Sequence, residues 1–222
     1  MAKEREQKFL VCSPEWRNHI KEAKIIEQWY FNENTKITVG MIGNLIIGAA
    51  EITFADERDG AEISFSFVVK PSDAMEMISV LRPKRISETG ANIRVWAIDT
   101  NETAIRIRIT EGKKAELTFK GGCGYERDEF NFPADLDLAY DIVAVLDAGR
   151  VRKVRNIIPY TNNLYYEVDE FLDENRGLIV AEMEFGKERP SPFCHALWIG
   201  DEITHDMKYT NSAMAVLPFE RW

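Results

Sequence analysis

Ionisable side chains recur at alternate positions along much of the chain. Glu4, Glu6 and Lys8 stand at period two, as do Arg106 and Arg108, and Glu116 and Lys120 with Thr118 between them. The same spacing joins Arg127 to Glu129, Lys153 to Arg155, Glu167 to Asp169, and Glu182 to Glu184. Period two places each set on one face of a strand. The chemistry open to such faces is specific. Carboxylates are hard oxygen ligands for Mg²⁺ or Mn²⁺. Guanidinium groups give bidentate contacts to phosphate oxygens. Two acids on one strand face repel unless a cation or a basic side chain lies between them. Acid pairs and base pairs converging in one fold therefore point to a cavity for a metal ion and a polyanion.

The elements that carry these residues must be strands in one sheet. An antiparallel sheet with a single wet face would give the same alternation, but such a face mixes Ser, Thr and Gln with its charges, and here ionisable groups predominate. The opposite positions hold Ile, Leu, Phe, Val and Met. A closed barrel with its charged faces inward delivers convergence, and it inverts the usual small barrel, whose interior is packed with apolar side chains. Its outer face then needs cover. Helices are expected at 14–23, with Ser13 as N-cap and Pro14 at the first position, and at 133–148, where Leu136, Leu138, Ile142, Val143, Val145 and Leu146 form a stripe ahead of Gly149. A third is expected at 72–81, between Pro71 and Pro83.

Composition sets the outer bounds. The 222 residues suit one domain, or one domain with a sizeable insertion. Apolar residues at 45% and charged residues at 29% describe a chain that buries a core. The formal charge of −9 argues against a duplex nucleic-acid binder, which presents a basic face to phosphates. Cys12, Cys123 and Cys194 lie far apart, as free thiols of a reducing cytoplasm do, and not as a disulfide framework or a zinc site. The N-terminus is charged from Lys3, so no signal peptide is expected. The longest apolar run, 39–50, has twelve residues and includes Asn44, whereas a bilayer-spanning helix needs about 20. These features predict a soluble, cytoplasmic protein with no membrane partner.

The order of the motifs resembles the CYTH family, the triphosphate tunnel metalloenzymes. Glu4-Arg5-Glu6-Gln7-Lys8 resembles its N-terminal E-x-E-x-K, and Gln28-Trp29-Tyr30 its Q-x-Y. Arg106-Ile107-Arg108 resembles R-x-R, and Leu117-Thr118-Phe119-Lys120 the strand that ends in a substrate lysine. Arg127-Asp128-Glu129-Phe130, Lys153-Val154-Arg155, Glu167-Val168-Asp169 and Glu182-Met183-Glu184 resemble R-x-E-F, K-x-R, E-x-D and the final E-x-E. The segment from Glu202 through Thr204, Asp206 and Tyr209 to Asn211 resembles the C-terminal stretch of bacterial triphosphatases. Two positions depart from the pattern: Asn131 stands where a second acid is usual, and Lys208 where Arg is usual.

The resemblance implies an α+β fold: a closed antiparallel eight-stranded β-barrel with a charged lumen and helices packed outside. It covers residues 1–31 and 102–222. Residues 32–101 match nothing in the family and read as an inserted β or mixed subdomain, with strand-like stretches at 36–42, 45–54, 61–69 and 92–97. Long insertions at a strand connection cost little loop entropy, so this one is expected to be removable. The implied activity is that of a metal-dependent triphosphatase, a phosphoric anhydride hydrolase, acting on inorganic triphosphate or a related organic triphosphate with Mg²⁺ or Mn²⁺. Lys8, Arg106, Arg108, Lys120, Arg127, Lys153 and Arg155 are the implied substrate-binding residues. Glu4, Glu6, Glu129, Asp169, Glu182 and Glu184 are the implied metal ligands. Lys8, Lys153 and Tyr30 are the implied catalytic residues, and either lysine could act as base if its pKa were depressed. The alternatives are a class IV adenylate cyclase, whose base pocket the insertion would supply, and a non-catalytic nucleotide or polyphosphate binder. A small-molecule triphosphate is the expected partner, and a homodimer is left open. Gly121-Gly122-Cys123-Gly124 lacks the Lys-Ser/Thr of a P-loop and reads as a hairpin turn. His19, His195 and His205 show no ligand spacing and read as surface or packing residues.

Overall fold

The computed structural model describes residues 2–42, 49–56, 58, 60–68, 75, 77–79, 81–89, 93–99, 101–121, 126–145, 148–160, 164–185 and 195–222. The alternation seen in the sequence becomes strands throughout. Strands β1 (Ala2–Val11), β2 (Glu22–Phe31), β8 (Thr103–Thr110), β9 (Lys114–Gly121), β10 (Glu126–Ala134), β11 (Ala148–Pro159), β12 (Tyr165–Phe171), β13 (Ile179–Phe185) and β14 (Ile199–Glu202) form one antiparallel sheet. Its order is β10-β9-β8-β2-β11-β12-β13-β1-β14, and β10 also pairs with β1, Glu4 opposite Arg127. The chain between β2 and β8 builds a second antiparallel sheet from β3 (Thr35–Ile42), β4 (Ala49–Asp56), β5 (Glu62–Val68), β6 (Lys84–Thr89) and β7 (Ile93–Ile98), ordered β5-β4-β3-β7-β6.

The apolar parity of the first sheet is covered by two buried clusters. Ile105, Ile107 and Ile109 of β8, Leu117 and Phe119 of β9, and Phe130 and Phe132 of β10 share one buried cluster with Ile37 and Val39 of β3, Phe54 of β4 and Ile98 of β7. Ala139 and Ile142 of helix α1 (Leu136–Val145) complete it. A second cluster backs β12 and β13 with Trp16 and Trp198. The third lies on the opposite, cavity-facing parity: Val151, Phe171 and Val180 share the strand faces of Lys153, Asp169 and Glu182 and seat Met214 of helix α2 (Asn211–Val216). Gly149 permits that seat, because a Cβ there would lie 2.6 Å from the Ala215 carbonyl oxygen.

The expected helical cover is therefore supplied in large part by a second sheet. The helix expected at 133–148 is shorter: Pro133 and Ala134 still pair in β10, and the Asp135 side chain accepts from the Leu138 N–H (3.0 Å), fixing the start at Leu136. The helix expected at 14–23 is a 3₁₀ turn over Pro14–His19. Ser13 donates to the Glu15 carboxylate and makes no side-chain cap to the backbone, and Glu22 is already paired with Ile157. Residues 75, 77–79 and 81 are helical. Strand β6 was not foreseen. It is an edge strand of charged and polar residues, with a register shift between Arg85 and Ser87 that breaks the alternation. The expected Gly-rich turn falls on residues 122–125, and Cys123 and Cys194 also lie outside the described residues.

The insertion is not an appendage. Its inner face and the outer face of β8–β10 are one core, so excision of residues 34–101 would bare Ile105, Ile107 and Phe119 to water. Two substitutions test this. Phe54→Ala in the second sheet and Phe119→Ala in the first, both fully buried, are each expected to cost about 3–5 kcal/mol. Both are expected to lower the midpoint of one shared transition in denaturant unfolding. Two separate transitions would show instead that the sheets fold apart.

Candidate functional site

A cavity of about 270 Å³ lies among the charged faces. Because each strand presents alternate residues to it, the lining comes in pairs: Glu6 and Lys8 from β1, Arg106 and Arg108 from β8, Glu129 and Asn131 from β10, and Glu182 and Glu184 from β13. Tyr30 of β2, Lys120 of β9, Arg155 of β11 and Glu167 of β12 complete the strand contribution. Thr210, Asn211 and Ser212 line its rim. The C-terminal segment also pins β1. Ile203 N–H donates to the Lys8 carbonyl (2.8 Å), Lys8 N–H to Thr204 Oγ1 (3.1 Å), and the Gln7 amide to Glu202 (2.9 Å).

Most of these charges hold one another. Arg155 donates from Nε to Asp169 Oδ1 (2.7 Å), from Nη2 to Asp169 Oδ2 and Glu182 Oε2 (both 2.6 Å), and from Nη1 to Glu167. Burial opposes its charge, but Asp169, Glu167 and Glu182 outweigh burial and hold the guanidinium pKa well above its usual range. Lys8 Nζ bridges Glu182 (2.6 Å) and Glu6 (3.2 Å). Burial would raise the Glu182 pKa. The charges of Lys8, Arg155 and Lys153 overcome it and hold that carboxyl well below the usual carboxylate range. Glu129 receives Lys120 (2.8 Å) and Arg106 (3.4 Å), and Asn131 donates to it (2.9 Å). So Asn131, the departure from the family pattern, sits on the wall as a neutral partner of Glu129.

Lys153 and Asp169 correct the expectation of direct contact. Both are fully buried, bonded to each other behind Arg155, and neither lines the cavity. Burial pulls the Lys153 pKa below its usual value, with Arg155 adding to the effect of burial against the attraction of Asp169. The pair acts on the wall through Arg155, which Asp169 orients with two hydrogen bonds. Glu4 and Arg127 are register partners on β1 and β10, and their side chains lie outside the described ones. All the other expected site residues line the cavity.

Arg108 differs from the other cations. It makes no ion pair with a described carboxylate, and desolvation together with Arg106 and Arg155 pushes its pKa down to about 10. Its support is Gln28, a buried residue the sequence reading did not assign to the site. Oriented with its oxygen toward the arginines, Gln28 accepts from Arg108 Nε (3.0 Å) and Arg106 Nη1 (3.2 Å), and its amide donates to the Tyr30 hydroxyl (3.0 Å). Tyr30 also accepts from Arg106 Nη1 (3.4 Å). Burial alone would raise the Tyr30 pKa, but Arg106, Lys120 and Lys153 draw it below its ordinary value. The visible signal for Gln28 was its place in Gln28-Trp29-Tyr30, at period two from Tyr30. Glu167 and the rim residues Thr210–Ser212 were likewise visible only as parts of motifs.

On the acidic side, Glu6 and Glu184 are register partners on β1 and β13, two carboxylates directly opposite each other. Partial desolvation and the charges of Glu167, Glu129 and Glu6 raise the Glu184 pKa. Facing carboxylates of this kind, with Lys8 held 3.2 Å from Glu6, supply hard oxygen donors that fit a divalent cation. Among the described residues no three carboxylates, histidines or cysteines already surround one point. Mg²⁺ is commonly held by one or two carboxylates together with substrate phosphates, not by an all-protein cage, and facing pairs suit that mode.

No family model matches the chain. It is 32% identical over 123 residues to an inorganic triphosphatase of Acetivibrio thermocellus, an overlap of 54% of this chain and 77% of that protein. It is 26% identical over 126 residues to an inorganic triphosphatase of Nitrosomonas europaea, spanning 56% of this chain and 83% of that one. A solved crystal structure of an inorganic triphosphatase superposes with a TM-score of 0.48 at 19% identity, over 97% of this chain and 96% of that chain.

The Glu184 carboxyl carries its own prediction. Its folded pKa lies above the unfolded value, so the folded state binds the extra proton and loses stability as pH rises through that window. In EDTA at pH 7, Glu184→Gln is expected to melt at a higher temperature than the unsubstituted protein. The difference should shrink as pH falls through the ordinary glutamate range and vanish well below it, where the carboxyl is protonated in both states. Equal melting temperatures at pH 7 in thermal scans would refute the repulsion.

Proposed function

The chain belongs to the CYTH family, the triphosphate tunnel metalloenzymes that include inorganic triphosphatases, and we propose that it hydrolyses a triphosphate held in the charged cavity. One observation carries the reading. Each of the eight strands from β10 round to β1 contributes a side chain to one cavity, with five cations and five carboxylates among them. The β1–β10 pairing supports reading those strands as a closed tunnel, formed by residues 1–31 and 102–222 with 32–101 inserted. In pairing order β8, which carries Arg106 and Arg108, is four strands from β13, which carries Glu182 and Glu184. A basic wall facing an acidic wall suits a polyanion on one side and its counter-cation on the other.

Charge balance supports the proposed metal dependence. Among the described lining residues five cations are matched by five carboxylates, so a tripolyphosphate entering alone meets little net attraction from them. Glu6 and Glu184, with Glu129 and Glu182 nearby on the wall, are the proposed holders of Mg²⁺ or Mn²⁺. When bound, such an ion supplies charge neutralisation and Lewis acidity toward phosphoryl oxygens. The remaining work falls to the chain. Arg106, Arg108 and Lys120 bind and orient the phosphates. Arg155 and Lys8, fixed by Asp169 and Glu182, meet the charge that develops on the equatorial oxygens of the transferring group. Lys8 and Tyr30 are the reactive-group candidates that touch the cavity. Lys153 has a depressed pKa, but it is buried beside Phe171 and paired with Asp169 and does not line the cavity, and it is assigned a positioning role through Asp169. Among the described residues no helix is long and apolar enough to cross a membrane, and a reducing cytoplasm is the proposed compartment.

The test is orthophosphate release from tripolyphosphate with Mg²⁺ and with Mn²⁺, scored beside cyclic AMP formation from ATP. Hydrolysis of tripolyphosphate without cyclic AMP is expected. The double variant Glu182→Gln/Glu184→Gln, or excess EDTA, is expected to abolish turnover. Full activity in either case would remove the metal from the mechanism.

Arg108 separates binding from folding. Because it has no carboxylate partner to orphan, Arg108→Ala should leave the apo melting temperature level or higher. It should weaken tripolyphosphate binding by roughly 1.5–3 kcal/mol, the usual worth of a hydrogen bond to a charged group. Lys113→Ala, exposed on a turn, should change binding little. Calorimetric titration decides, and equal losses for the two variants would refute a common lumen.

A further inference from the structure

Gln28 is fully buried on the cavity-facing parity of β2. Its register partner on one side is Arg108 of β8, and on the other Val151 of β11. Tyr30, next on the same face, stands opposite Arg106. Register partners share a face, so one amide meets two guanidiniums, a phenol and an apolar neighbour. These surroundings fix its orientation. The amide oxygen accepts from Arg108 Nε (3.0 Å), Arg108 Nη2 (3.2 Å) and Arg106 Nη1 (3.2 Å), and the amide nitrogen donates to the Tyr30 hydroxyl (3.0 Å). The reverse orientation would set amide hydrogens against guanidinium hydrogens.

Two consequences follow from the amide's being neutral and two-sided. The first concerns charge. Arg155 is held by Glu167, Asp169 and Glu182, so its charge is met within the fold before any ligand arrives. Arg108 is held by an oxygen that carries no net charge. It is oriented as firmly as a carboxylate would orient it, without being neutralised. The second concerns Tyr30. Its hydroxyl accepts from Gln28 and from Arg106 Nη1 (3.4 Å), so its own hydrogen points away from both. Tyr30 stands in the wall between the charged cavity and a larger one of about 1,300 Å³ lined in part by the chain between β2 and β8. Arg106 lines the first and not the second, so the hydroxyl belongs to the charged side. A carboxylate at position 28 would accept that hydrogen and withdraw it from the cavity, since it has none of its own to donate.

We propose that Gln28 is a positioning residue for the phosphate-binding wall: it aims Arg106, Arg108 and the Tyr30 hydroxyl hydrogen into the cavity and, being neutral, leaves the charge of both guanidiniums to an oxyanion. This rests on the triphosphatase reading and names the residue that prepares its anion site.

The experiment sets anion binding against stability in the full chain. The probe is diimidotriphosphate, a tripolyphosphate whose P–N–P bridges resist hydrolysis, titrated calorimetrically with Mg²⁺ present. Gln28→Glu keeps the shape and adds a charge. Without ligand it is expected to melt at the same or a higher temperature, because Arg108 gains a counter-ion. It is expected to bind the probe about tenfold more weakly or worse, the effect of losing one hydrogen bond to a charged group. A residue that served only the fold would move both quantities in one direction. The factor is expected to shrink in an Arg108→Ala background, because part of it passes through that guanidinium. Gln28→Met keeps the length and removes both hydrogen-bonding groups, and it is expected to lower both the melting temperature and the affinity. A Gln28→Glu protein that binds the probe unchanged, or whose affinity falls only together with its melting temperature, overturns the proposal. Where that variant does not fold, Gln28→Met decides: unchanged affinity overturns the positioning role, and weakened affinity in a protein still folded at the assay temperature upholds it. Orthophosphate release from tripolyphosphate is scored alongside. Probe binding that depends on Gln28 in a chain without hydrolysis upholds the positioning role and refutes the hydrolase reading, and hydrolysis with unchanged probe binding in the variants does the reverse.

Discussion

The Arg155–Asp169–Glu182 junction is the interaction on which the rest of the molecule depends. A sheet that turns ten ionisable side chains toward one cavity survives only if those charges are paired as they lose water, since an isolated buried ion costs several kcal/mol. Arg155 joins three carboxylates on two neighbouring strands, β12 and β13. Lys153 seals it from behind, and Lys8 closes it from β1. The pairing is also a statement about register. A one-residue slip of any of these strands would turn its charges outward and its apolar residues inward. The ion-pair web therefore selects the same register as the hydrophobic clusters outside.

That second constraint explains the insertion. An inside-out sheet must have its outer face covered. The cluster around β12 and β13 uses Trp16 and Trp198 for this. Along β8–β10 the cover is α1 and the five-stranded sheet, and Phe31 at the end of β2 stacks 4.8 Å from Phe54 of β4. The segment that shields the flank of the first sheet also lines the larger cavity beside the charged one. Stability and access to the site are thus served by the same residues, and changes in the insertion will be felt in both.

Much of this was legible in the sequence, for a physical reason. Strand alternation is strictly local, so Arg106/Arg108 or Glu182/Glu184 announce their shared face without knowledge of the fold. What was not legible depends on depth. Lys153 and Arg155 share a face, as their spacing requires, yet one is sealed and the other lines the cavity, because Lys153 lies further along β11 beside Phe171, in the part of that face that Met214 of α2 covers. Glu4 and Arg127 remain placed by register alone. Gln28 was hidden for a different reason: an uncharged amide gives no charge signal, and its value comes from facing two arginines at once. The edge strand β6 escaped because a bulge and a run of polar residues erase the period on which such reading relies. The reach of the insertion into the main core was hidden because no periodicity reports which two sheets will pack.

The places where pairing is incomplete are as informative as the web itself. Arg108 lacks an acid, Glu184 is surrounded by acids, and Asp128 Oδ1 lacks a donor. Each imperfection costs stability in the free protein, and a bound polyanion with its counter-cation would relieve two of them: phosphate oxygens for Arg108 and a cation for Glu184. Folding alone would favour neutralising all three, as it does at Arg155. A fold that leaves its charges unmatched binds by completing its own electrostatics, and the binding energy it gains is stability it has forgone.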